Sequence, residues 1–267
     1  MTETFSDWKS VPKSLRQKIR RGEYADSTSG LCPGYTQANL AILPLKEAFD
    51  FLLFCQRNPK PCPILEVSEP GNPFLKEIAF GADLRSDLPA YRVYSKGHIT
   101  EEPNDIRHLW RDDLVGFLLG CSYTFDAVLH RSGIRLPHVL ENREPGIYTT
   151  NLETFPAGVF KGPLVVSARG IPGDRVSDVV MTTSRFEKTH GAPVHVGNPE
   201  SIGINDLSKS EFGGGGLKLA PGDVPVFWAC GVTPQAVAIS SRVPFMITHK
   251  PGHMFVSDLT IEEAISK

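Results

Sequence analysis

The chain reads as an α/β protein, and three features of its 267 residues predict that class. Stretches with apolar residues three and four apart alternate with short continuous apolar runs, the pattern of helices interleaved with buried strands. Between about residues 146 and 204 helical spacing disappears, while Pro, Gly and β-branched residues become frequent. A smaller β-rich unit is expected there, with residues 1–145 and 205–267 forming the main domain around it. The composition, 40% hydrophobic and 22% charged, suits a chain long enough to bury a full core.

The elements follow in order. Pro12, tolerated in a first helical turn, opens a helix that Gly22 stops. Residues 27–34 are turn formers. Pro44 starts a second helix, with Leu45, Ala48, Phe49, Leu52 and Leu53 as its apolar face, and the Pro-rich residues 58–63 end it. Strands are expected at 64–67 and 91–94. Residues 105–131 carry helical spacing (Leu109, Leu114, Phe117, Leu118, Phe125, Leu129), broken at Gly120-Cys121-Ser122. Two helices meeting there are expected, with Ser122 capping the second. In the β-rich unit, 163–168 and 177–183 read as strands; 212–217, on its far side, reads as a Gly-rich flexible loop. Residues 225–230, a short helix from Gln235, and 245–248 then read as strand, helix and strand, which suggests a parallel pair. No internal repeat is evident.

Charge and cysteine usage narrow the function. Lys and Arg number 28 against 30 acids, so no basic stripe can neutralise a run of phosphates and nucleic acid is not an expected partner. No apolar run approaches a bilayer's thickness, and residues 1–7 are acidic and lack an apolar segment, so neither a membrane nor a secretory signal is expected. Five scattered cysteines, at 32, 55, 62, 121 and 230, fit a reducing cytoplasm. No C-x-x-C pair suggests a metal, and no P-loop, G-x-G-x-x-G turn or G-x-S-x-G elbow is present. Cofactor-free chemistry on a small carboxylate is the remaining reading, with self-association left open.

Candidate chemistry gathers at strand ends. Cys230-Gly231-Val232-Thr233-Pro234 feeds a strand into a helix, with Thr233 as its N-cap and free N–H groups after Gly231 that suit a carboxylate. A bare capped turn would look the same. Cys230 and Cys121 both precede helix starts, which lower a thiol pKa, and two thiols flanking a carbon would suit two-base proton transfer. Free cysteines more often act as small buried hydrophobes. His249, Lys250 and His253 crowd a Pro-Gly turn after a strand, giving acid/base groups and a cation. Arg169 could clamp a carboxylate or pair with an acid. Thr149, Asn151, Ser122 and His190 complete the candidate ligand set.

These segments carry a resemblance. Residues 34–40 (GYTQANL), 117–125 (FLLGCSYTF), 148–151 (YTTN), 189–195 (THGAPVH), 228–235 (WACGVTPQ) and 249–254 (HKPGHM) together resemble the bacterial hydro-lyase family whose best-understood relative is D-glutamate cyclase. The resemblance spans almost the whole chain. It implies a layered α/β/α core with a smaller two-layer α/β unit inserted, and a hydro-lyase activity taking D-glutamate to 5-oxoproline and water. Hydration or dehydration of another hydroxy acid, and metabolite binding without catalysis, are the alternatives. For the cyclisation, chemistry suggests His249 or His253 as base then acid, amides after Gly231 for the oxyanion, and Lys250 or Arg169 for the α-carboxylate.

Overall fold

The computed structural model describes residues 9, 11–141, 143–212 and 215–266. It is a mixed α/β fold built on two antiparallel sheets. In chain order the elements are α1 (Pro12–Arg20), β1 (Tyr35–Pro44), α2 (Leu45–Arg57), β2 (Ile64–Val67), β3 (Tyr91–Ser95), β4 (His98–Glu101), β5 (Leu114–Gly120) and α3 (Tyr123–Arg131). Then come α4 (Pro137–Leu140), β6 (Gly146–Glu153), β7 (Pro163–Pro172), α5 (Val176–Ser184), β8 (His195–Val196), β9 (Asp223–Ala229), α6 (Thr233–Ser240), β10 (Phe245–His249), β11 (Phe255–Thr260) and α7 (Ile261–Ser266).

The larger sheet runs β2-β5-β1-β10-β3-β4, and β11 pairs with the N-terminal part of β1. β1 is the hub, since it pairs with β5 from Ala38↔Gly120 to Pro44↔Leu114 on one edge and with β11 and β10 in turn on the other. Both faces of this sheet are covered. Leu40, Ile42 and Leu118 enter one core with Leu84, Tyr91 and Ile247, while Ala41, Leu43, Phe117 and Leu119 enter another with Phe51, Phe54 and Phe160. The smaller sheet runs β6-β7-β9-β8. It therefore takes its third strand from residues 223–229, downstream of the 146–204 stretch.

The two sheets exchange helices. α3 leaves the larger sheet yet packs Phe125 and Leu129 against Ile171, Val226 and Trp228 of the smaller one. α6 leaves the smaller sheet yet packs Val237 and Ala238 against Ala41, Leu43 and Met246 of the larger. This crossing ties the sheets into one body and brings the starts of α3 and α6 to their junction.

Several sequence expectations are corrected. Residues 114–120 form a strand, not a helix, because a short apolar run buried on both faces has no periodicity to tell the two apart. Residues 177–183 lie within α5; the buried pair Val179 and Thr183 is four apart, and tertiary packing of that stripe overrides the β-branched propensity. β9 and β10 belong to different sheets, so the parallel pair does not form. On α2 the buried face is Ala48, Phe51, Phe54 and Cys55, whereas Leu45 and Phe49 are exposed. Residues 35–43, given no element from sequence, are the central strand. Of the 212–217 loop, Gly213 and Gly214 lie outside the described residues, as do residues 1–7. No helix among the described residues is long and apolar enough to cross a membrane.

Candidate functional site

At the junction, two β-Cys-α units share the bonds that hold their cysteine turns. β5 ends at Gly120, Cys121 follows and α3 begins; β9 ends at Ala229, Cys230 follows and α6 begins. The Cys121 N–H donates to Gln37 O of the neighbouring strand at 3.0 Å, and the Cys230 N–H donates to Val165 O at 2.9 Å. Thr124 and Thr233, each three residues on, accept the Gln37 and Val165 N–H groups at 3.3 and 3.2 Å. Each thiol sulfur accepts a backbone N–H from two residues ahead, Tyr123 for Cys121 and Val232 for Cys230. The two units thus repeat one local motif, and they meet at the junction.

The halves also reach across the junction, through residues that are not themselves equivalent, since Asn39 lies two residues beyond Gln37 and Arg169 four beyond Val165. Gly231 lies so close to the Asn39 side chain of β1 that an added Cβ would sit 2.0 Å from Asn39 Nδ2. The equivalent residue, Ser122, receives a hydrogen bond from Arg169 of β7 at 2.9 Å. Each half therefore reaches over the other's cysteine turn. Both thiols are nearly enclosed, with 6% exposure at Cys121 and 7% at Cys230. Burial pushes Cys121 up to about 12, with Cys230 close enough to add to the rise. It pushes Cys230 up to about 11. The helix starts do lower both thiols, as the sequence suggested, but desolvation outweighs them.

Arg169 is the electrostatic centre of the junction. It is fully buried and holds the Asp126 carboxylate through two bonds, at 3.0 and 2.8 Å, while also donating to Ser167 Oγ. Asp126 accepts or shares a proton with His138 Nε2 at 3.0 Å. Burial alone would raise the Asp126 carboxyl, but Arg169 and His138 outweigh it and hold it at about 2. The guanidinium lies over the Phe125 and Trp228 rings and within electrostatic range of both thiols. The expected free carboxylate clamp is therefore already engaged by an internal acid.

His190 closes the junction from the other side. It occupies a left-handed backbone conformation, φ 85°, unusual for a residue with a Cβ. Lys188, two residues before it, packs so tightly on Gly120 that only glycine fits there. The His190 Nδ1 lies 2.6 Å from Lys60 O, which fixes the proton on Nδ1 and leaves Nε2 as the basic nitrogen. Burial first, with Arg169 adding, pulls this imidazole down to about 4, so it is neutral at physiological pH.

A cavity of about 230 Å³ opens beside this network. Residues 29–35, Gln37, Tyr123 and Asp126 line it, with His130 and Arg131 near its rim. Gln37 donates to Thr28 O and Leu31 O, while its buried Oε1 has no hydrogen-bond partner. A much smaller cavity, about 10 Å³, touches Arg169 and His138 from the opposite side.

The remaining expected residues lie elsewhere or are enclosed. Thr233 is the first residue of α6 rather than its cap, and its hydroxyl is a buried strut to Val165 and Cys230 O. Ser122 does hold the cap position of α3, but its hydroxyl serves Arg169 instead of the helix. His249 is sealed, 1% exposed; its Nδ1 accepts the Leu40 N–H at 3.2 Å and its Nε2 has no partner. Burial pulls it to about 4 as well. Lys250 pairs with Glu102 at 3.2 Å, and His253 is half-buried with Nδ1 2.9 Å from Pro251 O. Gln235, at the start of α6, links this second polar group to the junction by donating to His249 O at 3.0 Å. Thr149 bonds Glu211, and Asn151 is exposed beside Gly203, so neither joins the cysteines. Among the described residues no cluster of three or more His, Cys, Asp or Glu could hold a metal.

The sequence reading passed over Asp126, Asn39, Gln37 and the repeat itself. The signal was present. Cys121, Thr124, Ala127, Val128 and Ser132 recur as Cys230, Thr233, Ala236, Val237 and Ser241, a constant 109 residues apart.

Comparison with known proteins agrees with the resemblance. A family model described as D-glutamate cyclase matches residues 115–258. A protein of Rubrobacter xylanophilus named "Putative hydro-lyase" is 56% identical over 91% of this chain and 93% of its own length. Proteins of the same description from a Thermoanaerobacter species and from Geobacillus kaustophilus are 55% and 54% identical over 94% of this chain, and 94% and 95% of theirs. A solved nitrogen repressor-like protein from Methanococcus jannaschii covers 94% of this chain and 95% of its own, but with a TM-score of 0.40 and 13% identity it carries no argument. The chain belongs to the D-glutamate cyclase family and is a lyase of the hydro-lyase class.

Proposed function

We propose that the chain closes D-glutamate to 5-oxoproline with release of water, at the junction of its two β-Cys-α units. The reading rests on one observation above all. A buried cation, Arg169, lies within electrostatic range of two protonated thiols and a neutral imidazole, beside a cavity that reaches solvent. Ring closure needs groups of these kinds. The α-amine must lose a proton, the γ-carboxyl carbon must be attacked, and the departing oxygen must be protonated.

His190 Nε2 is the acceptor that suits the first step, because its partner Lys60 O orients it and it carries no proton of its own at neutral pH. The thiols, held protonated by burial, suit the last step as donors. Arg131 and His130 near the cavity rim draw in an acidic guest, and Gln37 Oε1 offers an acceptor for an ammonium. Attack within one molecule is already favoured, so most of the acceleration comes from holding the chain of the substrate bent. Of the residues expected from sequence, Arg169, Cys230, Cys121, Ser122, Gly231 and His190 stay in this reading. His249 is tied to the junction through Gln235, while His253 and Lys250 leave this reading.

Incubation with D-glutamate, L-glutamate or 5-oxoproline, followed by chiral chromatography, tests it. D-Glutamate should give 5-oxoproline, and His190→Asn should lower turnover by roughly 10²-fold or more in a folded protein. Turnover of a hydroxy acid instead, with glutamate untouched, would replace this substrate with another for the same hydro-lyase.

A further inference from the structure

We infer that the junction also exchanges the hydrogen on the α-carbon of an amino or acylamino acid, with Cys121 and Cys230 acting on opposite faces of that carbon. The inference rests on placing the reaction at this junction and asks more of it than ring closure does, since closing glutamate leaves the Cα–H bond intact.

Three observations carry it. The thiols occupy equivalent positions of two units that each reach over the other's cysteine turn, a reciprocal arrangement that sets them on opposite sides of the junction. Each sulfur receives a backbone N–H from the start of its own helix, a donor that favours the thiolate form. Each cysteine turn is covered by the other half, Gly231 by Asn39 and Ser122 by Arg169, which fixes both at one closed centre with the guanidinium near both sulfurs. Structural cysteines have no need of matched positions, matched donors and a shared cation. A pair of acid/base groups for one prochiral centre needs all three.

The step balances with protons alone. The active form carries one thiolate and one thiol, the missing proton having gone to solvent. The thiolate takes the α-hydrogen as a proton, and the electron pair of the broken C–H bond delocalises into the adjacent carboxyl group. The opposite thiol then gives its S–H proton to the other face of the carbon. The configuration inverts, the two sulfurs have exchanged protonation states, and no oxidant or leaving group is involved. A dry setting that raises thiol basicity helps, because a carbon acid demands a strong base.

The test uses the intact protein in D₂O with D-glutamate, L-glutamate, D-5-oxoproline and L-5-oxoproline in separate reactions, read by proton NMR at Cα and by chiral chromatography with mass detection. The expected result is an opposite enantiomer carrying one solvent deuterium, while unconverted substrate keeps its protium at early times. Cys121→Ser and Cys230→Ser should each slow that conversion roughly 10²-fold or more, and the double variant little further, as for groups acting as one unit. Deuterium appearing equally in substrate and product would mean a single base and overturn the pair. So would retention of the α-proton in all four acids. Formation of 5-oxoproline with its α-protium intact would uphold the ring closure and overturn this inference; α-deuteration without ring closure would do the reverse.

Discussion

Lowering the pH from 7 to 5 should remove a large part of this protein's stability, and two histidines account for it. His190 and His249 are each 1% exposed and are drawn by burial to about 4, against an ordinary value near 6.5. A histidine whose folded value is depressed binds fewer protons folded than unfolded between those limits. Stability is therefore undiminished above about pH 6.5 and falls as the pH drops toward 4. At about pH 5.75 the unfolded chain holds roughly 0.8 more protons per histidine, or about 1.7 for the two, which gives a slope of roughly 2.3 kcal/mol per pH unit. Integrated from 7 to 5 the loss is about 3 to 4 kcal/mol, a large fraction of a typical total of about 5–15 kcal/mol. Urea unfolding at half-unit steps measures it. His249→Asn keeps an acceptor for the Leu40 N–H and His190→Asn keeps a donor for Lys60 O, so each variant should flatten the curve by about half. A wild-type curve that is level between pH 6.5 and 5 would refute the reasoning, because the imidazoles would then titrate normally and could not be enclosed.

Three further outcomes follow from the same geometry. Asp126→Asn leaves the Arg169 guanidinium buried opposite a neutral amide and should cost about 3–5 kcal/mol in urea unfolding at pH 7; a loss below about 1 kcal/mol would show the pair to be hydrated. Thr124→Val and Thr233→Val each strip the acceptor from a buried strand N–H, Gln37 or Val165, and should cost about 1–3 kcal/mol apiece, Thr233→Val the more because its hydroxyl also donates to Cys230 O. A negligible loss at either position would show that the hydroxyl does not hold its turn to the neighbouring strand. Gly231→Ala meets a side chain, so Asn39→Ala should restore folding to it, whereas Gly120→Ala meets the Lys188 backbone carbonyl at 1.8 Å and has no such rescue by a single side-chain truncation; soluble yield and thermal unfolding of the three proteins decide this.

How much of the molecule was legible beforehand depended on where each signal lay. The helix from Pro12, the strand at 64–67 and the strand at 163–168 are local patterns, and they fold as expected. The central strand Tyr35–Pro44 was not legible, because Thr36, Gln37 and Asn39 break its apolar run. Those polar side chains are tolerated inside only because partners distant in sequence satisfy them, Leu119 O and Gly120 O for the Asn39 amide among them. The site shows the same division. Cys230, Gly231, Arg169 and His190 were found from local chemistry, but what each one touches was not. Arg169 meets Asp126 across 43 residues, and no spacing rule announces that a guanidinium will be spent on an internal acid.

The recurrence of cysteine and threonine at 121, 124, 230 and 233 could have been found, and the reason it was overlooked is physical. Around it the two units have diverged to suit different neighbours. Asp126 of one unit corresponds to Gln235 of the other; the first neutralises Arg169, while the second accepts from Tyr94 and donates to His249 O. Ser122 corresponds to Gly231, one bonding a cation and the other yielding space to Asn39. What stays alike is the cysteine of each turn, the threonine that pins the turn to its neighbouring strand, and the Ala, Val and Ser that follow at 127, 128 and 132 and at 236, 237 and 241. The turns keep their strand bonds while the groups reaching over them differ, Arg169 on one and Asn39 on the other. A two-base reaction on an asymmetric substrate would use such a pair of thiols, and the single cysteine variants decide whether this pair is so used.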